Sequence, residues 1–295
     1  MRIASLLPAA TEIAAAVGLV DDLVAVTFEC DHPAGIRDRV PVVVDTPLAA
    51  GLTPGEIDAA VRERMAAGLP MYEVDAAALG RLAPDLILTQ DLCRVCALPA
   101  GSVADALALL GSDAEVLSID PHSVDDVLAS ISEVGHRGGA SARADALVGE
   151  LRERLAAVAD AVAGRARPRV LVLEWTDPPF LAGHWVPELV RRAGGEPVGG
   201  ADAGRSTTAT WESLAAHAPD LVVVAPCGYG LEDAVAQAGQ VRDLLPAVPV
   251  VAIDSAAYVV RAGPRLVDGI EALAWALHPD AVPEPPVGRV VGVRG

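Results

Sequence analysis

The sequence predicts an α/β protein with two Rossmann-like lobes, each built on a parallel central sheet. Short runs rich in Val, Ile and Leu alternate with helical patterns from the first residue to about residue 278, which is typical of βαβ units. The chain has 295 residues, more than the roughly 100 to 200 that one domain usually takes. Hydrophobic residues make up 52% and charged residues 21%, a composition that indicates a globular protein and excludes a disordered one.

The first predicted lobe covers residues 1–140. Its opening residues predict a strand at 2–7 that turns at Pro8 into a helix over about residues 11–17, which Gly18 ends. The other strands predicted for this lobe lie at residues 23–27, 40–44, 86–89 and 115–119.

Two helices of this lobe have recognisable N-terminal signals. Thr53, Pro54 and Glu56 form a capping box, in which the hydroxyl and the carboxylate satisfy each other's backbone N–H groups. Ser123 precedes Asp126 at the same spacing and predicts a second helix start.

Residues 141–164 are predicted to form a connecting backbone helix. Leu147, Leu151, Leu155 and Val158 recur at intervals of three or four with Arg and Glu between them, which indicates one amphipathic helix. At 1.5 Å per residue it is roughly 35 Å long, enough to join two lobes rigidly. The remaining predictions are a second lobe at residues 165–280 with strands at 170–173, 221–225 and 250–253, and a loosely attached tail at 281–295.

Charge and hydropathy exclude several function classes. The net charge is -18 and all 22 basic residues are Arg, so lysine Schiff-base and P-loop chemistry are excluded. So acidic a surface repels phosphate backbones, and no nucleic-acid partner is expected. No apolar run reaches the roughly 18 residues of a membrane span, and the opening apolar stretch is too short for a signal peptide. The expected location is therefore cytoplasmic, the alternative being an exported protein whose signal peptide has been removed.

Unusual residues follow the predicted strands. Ligands of parallel α/β sheets bind outside the carboxyl ends of the strands, and all four cysteines and six of the nine aromatic residues fall there. A cleft between the lobes, lined by aromatic rings, is therefore expected, although any single ring could instead pack against its own lobe. The six aromatic residues are Phe28, Trp175, Phe180, Trp185, Tyr229 and Tyr258.

The polar residues of the same segments add hydrogen-bonding and acid–base groups. Glu29, Asp31, Glu174 and Asp177 could act as acids, bases or acceptors, or could simply be solvated. Arg261 could bind an anionic group. The predicted ligand-binding residues are Glu29, Cys30, Asp31, Gln90, Glu174, Trp175, His184, Trp185, Tyr229, Tyr258 and Arg261.

The cysteines suggest a metal site. Cys93 and Cys96 form a CXXC pair, which suits a metal ion or a redox couple because both thiols point to one side of a turn. Cys227 and His184 are the preferred further ligands, with Cys30 and His32 as other candidates, and zinc or iron is the expected metal. The alternative is that these thiols contact a ligand or are packed as small hydrophobic groups.

The chain opens with Arg2-Ile3-Ala4-Ser5-Leu6-Leu7-Pro8-Ala9-Ala10-Thr11-Glu12-Ile13. This opening resembles the first βαβ unit of the helical-backbone periplasmic binding proteins, which are the solute receptors of ABC importers for cobalamin, siderophores and heme. The helix over 141–163, the Pro-Asp-Leu segments before two strands, and Arg-Ala-Gly-Pro-Arg at 261–265 extend the resemblance over nearly the whole chain. Within that superfamily the chain looks most like the cobalamin-binding branch, whose members hold a corrinoid in a shallow cleft between two lobes. The resemblance implies ligand contact for Trp175, Trp185, Tyr229, Tyr258, Glu29 and Gln90.

The residues and the resemblance together predict a binding protein for cobalamin or another corrinoid, or for a related metal-bearing cofactor. An ABC permease is its possible partner. The alternative is a cytosolic metal- or thiol-dependent enzyme on the same fold. In that enzyme Cys93, Cys96 and Cys227 would be the working groups, and Glu29 or Glu174 would be the base.

Overall fold

The computed structural model describes residues 1–91, 101 and 113–293. It divides into two compact units, which we call the first unit (Met1–Pro121 with Asp125–Gly149) and the second unit (His122–Val124 with Glu150–Gly295). Each unit has its own sheet, and the prediction of an α/β fold with two mostly parallel sheets is confirmed. The division falls inside the helix that was predicted to connect two lobes. The predicted ligand cleft stays a prediction.

The sheet of the first unit has the strand order β4-β3-β2-β1-β5-β6. All neighbouring strands are parallel except β3 and β4. Ala4, Ala25, Val43 and Ile87 lie in the apolar core of this sheet and its helices. The strands are β1 (Ile3–Ser5), β2 (Leu23–Thr27), β3 (Val42–Asp45), β4 (Glu73–Val74), β5 (Leu86–Thr89) and β6 (Glu115–Ser118).

The first helix begins earlier than the sequence predicted, at Pro8 instead of Thr11. Proline has a fixed φ and no N–H group, which suits the first turn of a helix, so it begins this helix and does not end a strand. The Thr53 capping box is confirmed: Thr53 Oγ1 accepts from Glu56 N, and Glu56 Oε2 accepts from Thr53 N at 2.8 Å. The helices up to the second unit are α1 (Pro8–Ala16), α2 (Ile36–Arg39), α3 (Pro54–Ala66), α4 (Ala76–Leu82), α5 (Val124–Arg137) and α6 (Ser141–Val162).

The sheet of the second unit has the order β10-β8-β7-β11-β12-β13, and β9 pairs with β7. Strands β7, β11 and β12 form its parallel centre, where Leu171, Val222 and Ala252 are fully buried. Its strands are β7 (Arg169–Thr176), β8 (Pro179–Leu181), β9 (Glu196–Pro197), β10 (Thr207–Thr208), β11 (Leu221–Val224), β12 (Val250–Ile253) and β13 (Val290–Val293).

The predicted loose tail is not loose over its whole length. Strand β13 pairs antiparallel with β12 and forms one edge of the sheet, and three of its four residues are Val, which favours strands. In the described part of the chain, no helix is both long and apolar enough to cross a membrane. The helices of the second unit are α7 (Val186–Arg192), α8 (Trp211–Ala216), α9 (Leu231–Leu244), α10 (Ser255–Tyr258) and α11 (Leu266–Leu277).

Candidate functional site

Two aromatic rings meet where the central strands of the second unit end. Trp175 lies near the end of β7, and Tyr229 follows β11 by five residues. Their ring centroids are 5.7 Å apart at an interplanar angle of 51°, and the Trp175 indole N–H donates to the Asp177 carbonyl at 3.0 Å. Both residues are partly exposed, so the pair presents aromatic surface to its surroundings. Burial raises the pKa of the Tyr229 hydroxyl, as does the nearby Asp233 carboxylate, so this hydroxyl keeps its proton at neutral pH.

A third ring extends this pair. Phe180 lies in β8 directly opposite Trp175 in the antiparallel ladder, and opposed residues of such a ladder point to the same face of the sheet. Phe180 is also partly exposed. The sequence placed Phe180 among the loop aromatics but not among the ligand-binding residues, because the short hairpin that turns it toward Trp175 was not predicted. We call Trp175, Phe180 and Tyr229 the aromatic cluster.

The carboxylate of Glu174 is held inside the second unit. Its side chain accepts hydrogen bonds from the Ser206 hydroxyl and from Gly183 N, the latter at 3.4 Å, and Glu174 is only 9% exposed. A carboxylate this enclosed needs such donors to offset its lost hydration. In the structure this carboxylate binds Ser206 and Gly183 of its own unit. Its contact with a ligand stays a prediction.

Trp185 is a core residue of the second unit. It is 5% exposed, and its indole N–H donates to the Val259 carbonyl at 2.8 Å. The alternative left open by the sequence, that a single ring packs against its own lobe, describes this position. Burial therefore removes Trp185 from the surface that a ligand can reach without rearrangement.

His184, one residue earlier, has a left-handed backbone with φ of 52° and a partly buried ring. Its Nδ1 is buried and has no hydrogen-bond partner. The pKa of the imidazole is lowered by burial, and further by the nearby charges of His122 and Arg205. The ring is therefore neutral at neutral pH.

The remaining predicted residues of the second unit differ in exposure. Tyr258 lies under two guanidinium groups, Arg265 at 5.7 Å and Arg289 at 5.4 Å from its ring centroid, so its face is occupied by cation–π contacts. Arg261 is partly buried, and Cys227 is an exposed free thiol beside the aromatic cluster.

The metal site predicted from the cysteines stays a prediction. Cys93 and Cys96 lie outside the described residues. Within the described ranges no group of three or more His, Cys, Asp or Glu side chains is arranged to hold a metal ion. Cys227 and His184 both belong to the second unit.

At the corresponding edge of the first unit, internal hydrogen bonds enclose Cys30. Cys30 is 0% exposed, and its sulfur lies 3.1 Å from Thr11 Oγ1 and 3.3 Å from Thr27 Oγ1. Thr11 also donates to Ser5 Oγ at 2.8 Å. This enclosed position does not present the thiol to a ligand, and it fits the interpretation of Cys30 as a packed residue.

Gln90 is also enclosed by the first unit, because it is 7% exposed. Its Nε2 donates to the Ile119 carbonyl at 3.0 Å, which links the residues that follow β5 and β6. Glu29 is partly exposed and Asp31 is exposed. Phe28, the residue after β2, packs near Tyr72 with ring centroids 6.5 Å apart.

A cavity of about 260 Å³ lies elsewhere in the second unit, near the ends of α6 and α7. Arg165 and Arg191, which line it, pair with Asp280 and Asp202. Its lining residues come from the end of α6, the segment that leads into β7 and the end of α7, whereas the aromatic cluster lies at the carboxyl end of β7.

Two comparisons with known proteins give matches. A family model described as Periplasmic binding protein matches residues 3–248. Among solved structures, the chain is similar to a periplasmic heme binding protein from Pseudomonas aeruginosa, with 21% identity and a TM-score of 0.74 over 100% of this chain and 98% of that one. It is also similar to the periplasmic vitamin B12 binding protein BtuF of Vibrio cholerae, with 20% identity and a TM-score of 0.70 over 94% of this chain and 96% of that one.

A third similar structure is a possible iron-binding, periplasmic solute-binding protein from Staphylococcus epidermidis, with 18% identity and a TM-score of 0.65 over 92% of this chain and 96% of that one. No curated protein matches the sequence. The predicted cytoplasmic location is wrong, because the matching family and these similar structures are periplasmic or exported binding proteins. None of the matches supports the enzyme alternative.

Proposed function

Because the chain belongs to the periplasmic binding protein family, we propose that it is the substrate-binding protein of an ABC importer and that it captures cobalamin or a related metal-bearing tetrapyrrole such as heme. Three similar proteins are described as heme-binding, vitamin B12-binding and possibly iron-binding, which supports a metal-bearing ligand. The membrane permease of such an importer is the partner that follows from this role.

The aromatic cluster is the observation that carries the proposal. Only 3% of the residues are aromatic, yet Trp175, Phe180 and Tyr229 gather at one place and remain partly exposed. Flat rings bury large areas at low conformational cost and stack well on other flat rings, so this cluster suits the face or edge of a macrocycle.

Absorbance and calorimetric titrations with hydroxocobalamin and with hemin test the proposal. We expect a saturable complex with at least one of the two, and shifted absorption bands where a side chain lies near the metal. Absence of saturable binding to both, in protein shown to be folded by circular dichroism, would contradict the proposal.

The partner is tested separately with a reconstituted importer. Loaded protein is expected to stimulate ATP hydrolysis by the cognate permease complex more than empty protein does. Equal stimulation by both forms would argue against the transport role while leaving ligand binding intact.

A further inference from the structure

The segment around His184 is pinned to a second loop of the same unit. His184 N donates to the Gly204 carbonyl at 2.6 Å, and Ala203 N donates to the His184 carbonyl at 3.0 Å. A Cβ atom on Gly183 would lie 2.6 Å from the carbonyl carbon of Arg205, so only glycine allows so close an approach. The backbone of Arg205 is therefore fixed directly beside His184.

His122 belongs to a segment earlier in the chain that is held close to the same place. Val124 N donates to Glu188 Oε2 at 2.8 Å, and Glu188 lies in the first turn of α7, four residues after His184. This bond ties the short segment His122–Val124 to the second unit. The nearby charge of His122 is also among the causes that lower the pKa of His184.

The surroundings of the His184 ring decide which of its two nitrogens carries the proton. Nδ1 is enclosed without a partner, and buried N–H groups without an acceptor are rarer than acceptors without a donor. The proton of the neutral ring therefore belongs on Nε2, which makes His184 a hydrogen-bond donor toward its surroundings. Metal ligation through Nε2 would need the opposite tautomer, with Nδ1–H bonded to an acceptor, and Nδ1 has no such partner among the described residues.

The carboxylates on the neighbouring segments are already engaged. Glu174 accepts from Ser206 and Gly183, Glu188 accepts from Val124 N and from Arg192 at 2.7 Å, and Asp202 pairs with Arg191 at 2.5 Å. Arg205, in contrast, is exposed and makes no ion pair or hydrogen bond with the described residues. A cation and imidazole groups are thus held together in a chain whose net charge is -18.

We propose that His122, His184 and Arg205 form an oxyanion-binding subsite that recognises a carboxylate or phosphodiester group of the captured ligand. The inference rests on the proposed function for its ligand, but the subsite itself follows from the second unit. The Arg205 guanidinium provides charge and paired donors, and His184 Nε2–H provides a fixed neutral donor. The strained backbone of His184 is explained by this task, since strain is concentrated where a side chain must be held in one direction.

The first test needs no tetrapyrrole. In protein labelled with ¹⁵N-histidine, long-range ¹H–¹⁵N spectra distinguish the two ring tautomers, and His184→Asn identifies the His184 signals. We expect the Nε2–H form, and saturable shifts of the His184 and His122 signals on adding inorganic phosphate or propionate. The Nδ1–H form, or no saturable shift with either anion, would overturn the subsite whether or not the protein binds a tetrapyrrole.

The second test identifies the source of the anion. Hydroxocobalamin is compared with cobinamide, which lacks the phosphodiester together with the rest of the nucleotide, and hemin with its dimethyl ester, which lacks free carboxylates. The contribution of the anionic group is then the part of the preference that depends on Arg205. We expect the anionic member of the bound pair to bind about tenfold more tightly, the difference that one charge-assisted hydrogen bond supplies. A preference in the cobalamin pair assigns the phosphodiester, and one in the hemin pair assigns the carboxylates.

Arg205→Gln should remove that preference, whereas Arg242→Gln should keep it. Arg242 lies in α9 of the same unit and pairs with Asp243, so it controls for the loss of one positive charge. Equal binding of both members of each pair by the unaltered protein would overturn the subsite and leave the proposed function standing. Absence of all tetrapyrrole binding together with saturable anion shifts would overturn the proposed function and support the subsite.

Discussion

The two sheets end differently at their carboxyl edges. In the first unit, Cys30 contacts Thr11 and Thr27 and Gln90 donates to the Ile119 carbonyl, so internal hydrogen bonds use these polar groups although Asp31 at the same edge is exposed. In the second unit, the aromatic cluster and the Cys227 thiol remain partly or fully exposed at the same edge. Position at the end of a parallel strand is therefore not sufficient to make a residue available, because internal hydrogen bonds can use it first.

Exposure also differs between two tryptophans of the second unit. Trp175 and Trp185 are ten positions apart, the first within β7 and the second shortly after β8. Trp175 is partly exposed, whereas Trp185 is 5% exposed. The hairpin of β7 and β8 separates them, because it keeps Trp175 on a strand while the chain continues into the core at Trp185.

Replacement of Trp185 has the largest expected effect. Trp185→Ala should lower the free energy of unfolding by about 3–5 kcal/mol, since it leaves a cavity in the core and the Val259 carbonyl without its donor. Urea denaturation measures the loss. The matched variant Trp175→Ala should lose less than about 1 kcal/mol; an equal loss in both would remove the distinction between the two rings.

Thiol labelling compares the two edges directly. Cys227 is exposed and Cys30 is 0% exposed, so alkylation of the native protein should modify Cys227 at least about 100-fold faster, because Cys30 reacts only when the first unit opens. Iodoacetamide time courses followed by peptide mass spectrometry give a separate rate for each cysteine. In denaturant the two rates should converge, and a fast native reaction of Cys30 would show that the first edge is open in solution.

Ligand binding should depend on the exposed edge. Trp175→Ala should weaken binding of the tetrapyrrole more than tenfold, which corresponds to about 1.4 kcal/mol or more, because the ring then no longer stacks on the ligand. Calorimetric titration measures the dissociation constant. Trp211→Ala, which changes a partly buried tryptophan at the start of α8, is the matched control and should retain the unaltered affinity. Unchanged affinity in Trp175→Ala would exclude this ring from the site.

The fold could be predicted from the sequence further than the site could. Long apolar strands and the Thr53 capping box depend on neighbours within a few residues, and these predictions agree with the structure. Strands of two or three residues such as β4, β8 and β10 were missed, because their pairing depends on distant partners and they are too short for a periodic pattern. The tail strand β13 was missed although it is as long as β5, because it follows a proline-rich segment that predicted a loose tail.

The candidate site depends on distant contacts even more. Nothing local in the sequence indicates that Cys30 contacts Thr11, 19 positions away, or that Phe180 lies opposite Trp175. His122 comes four residues after the end of β6, so its position near a strand end was a usable signal. Arg205 had no such signal, because its loop is brought into place by contacts with Gly183 and His184.

The smallest expected effect concerns the pH dependence of stability. The pKa of His184 is lowered from its ordinary 6.5 in the folded protein, first by burial and then by His122 and Arg205. The unfolded chain therefore binds a proton more readily at this residue, and stability is lost as the pH falls through 6.5 toward the lowered value.

His184→Asn suits the left-handed backbone and removes the titrating group. The melting temperature of this variant should therefore fall less than that of the unaltered protein between about pH 7.5 and about pH 5.5. His136→Asn, at an exposed position near the end of α5, should retain the original difference. An identical pH dependence in His184→Asn would mean that the ring is hydrated and not enclosed, and the exposed edge of the second unit would then extend to His184.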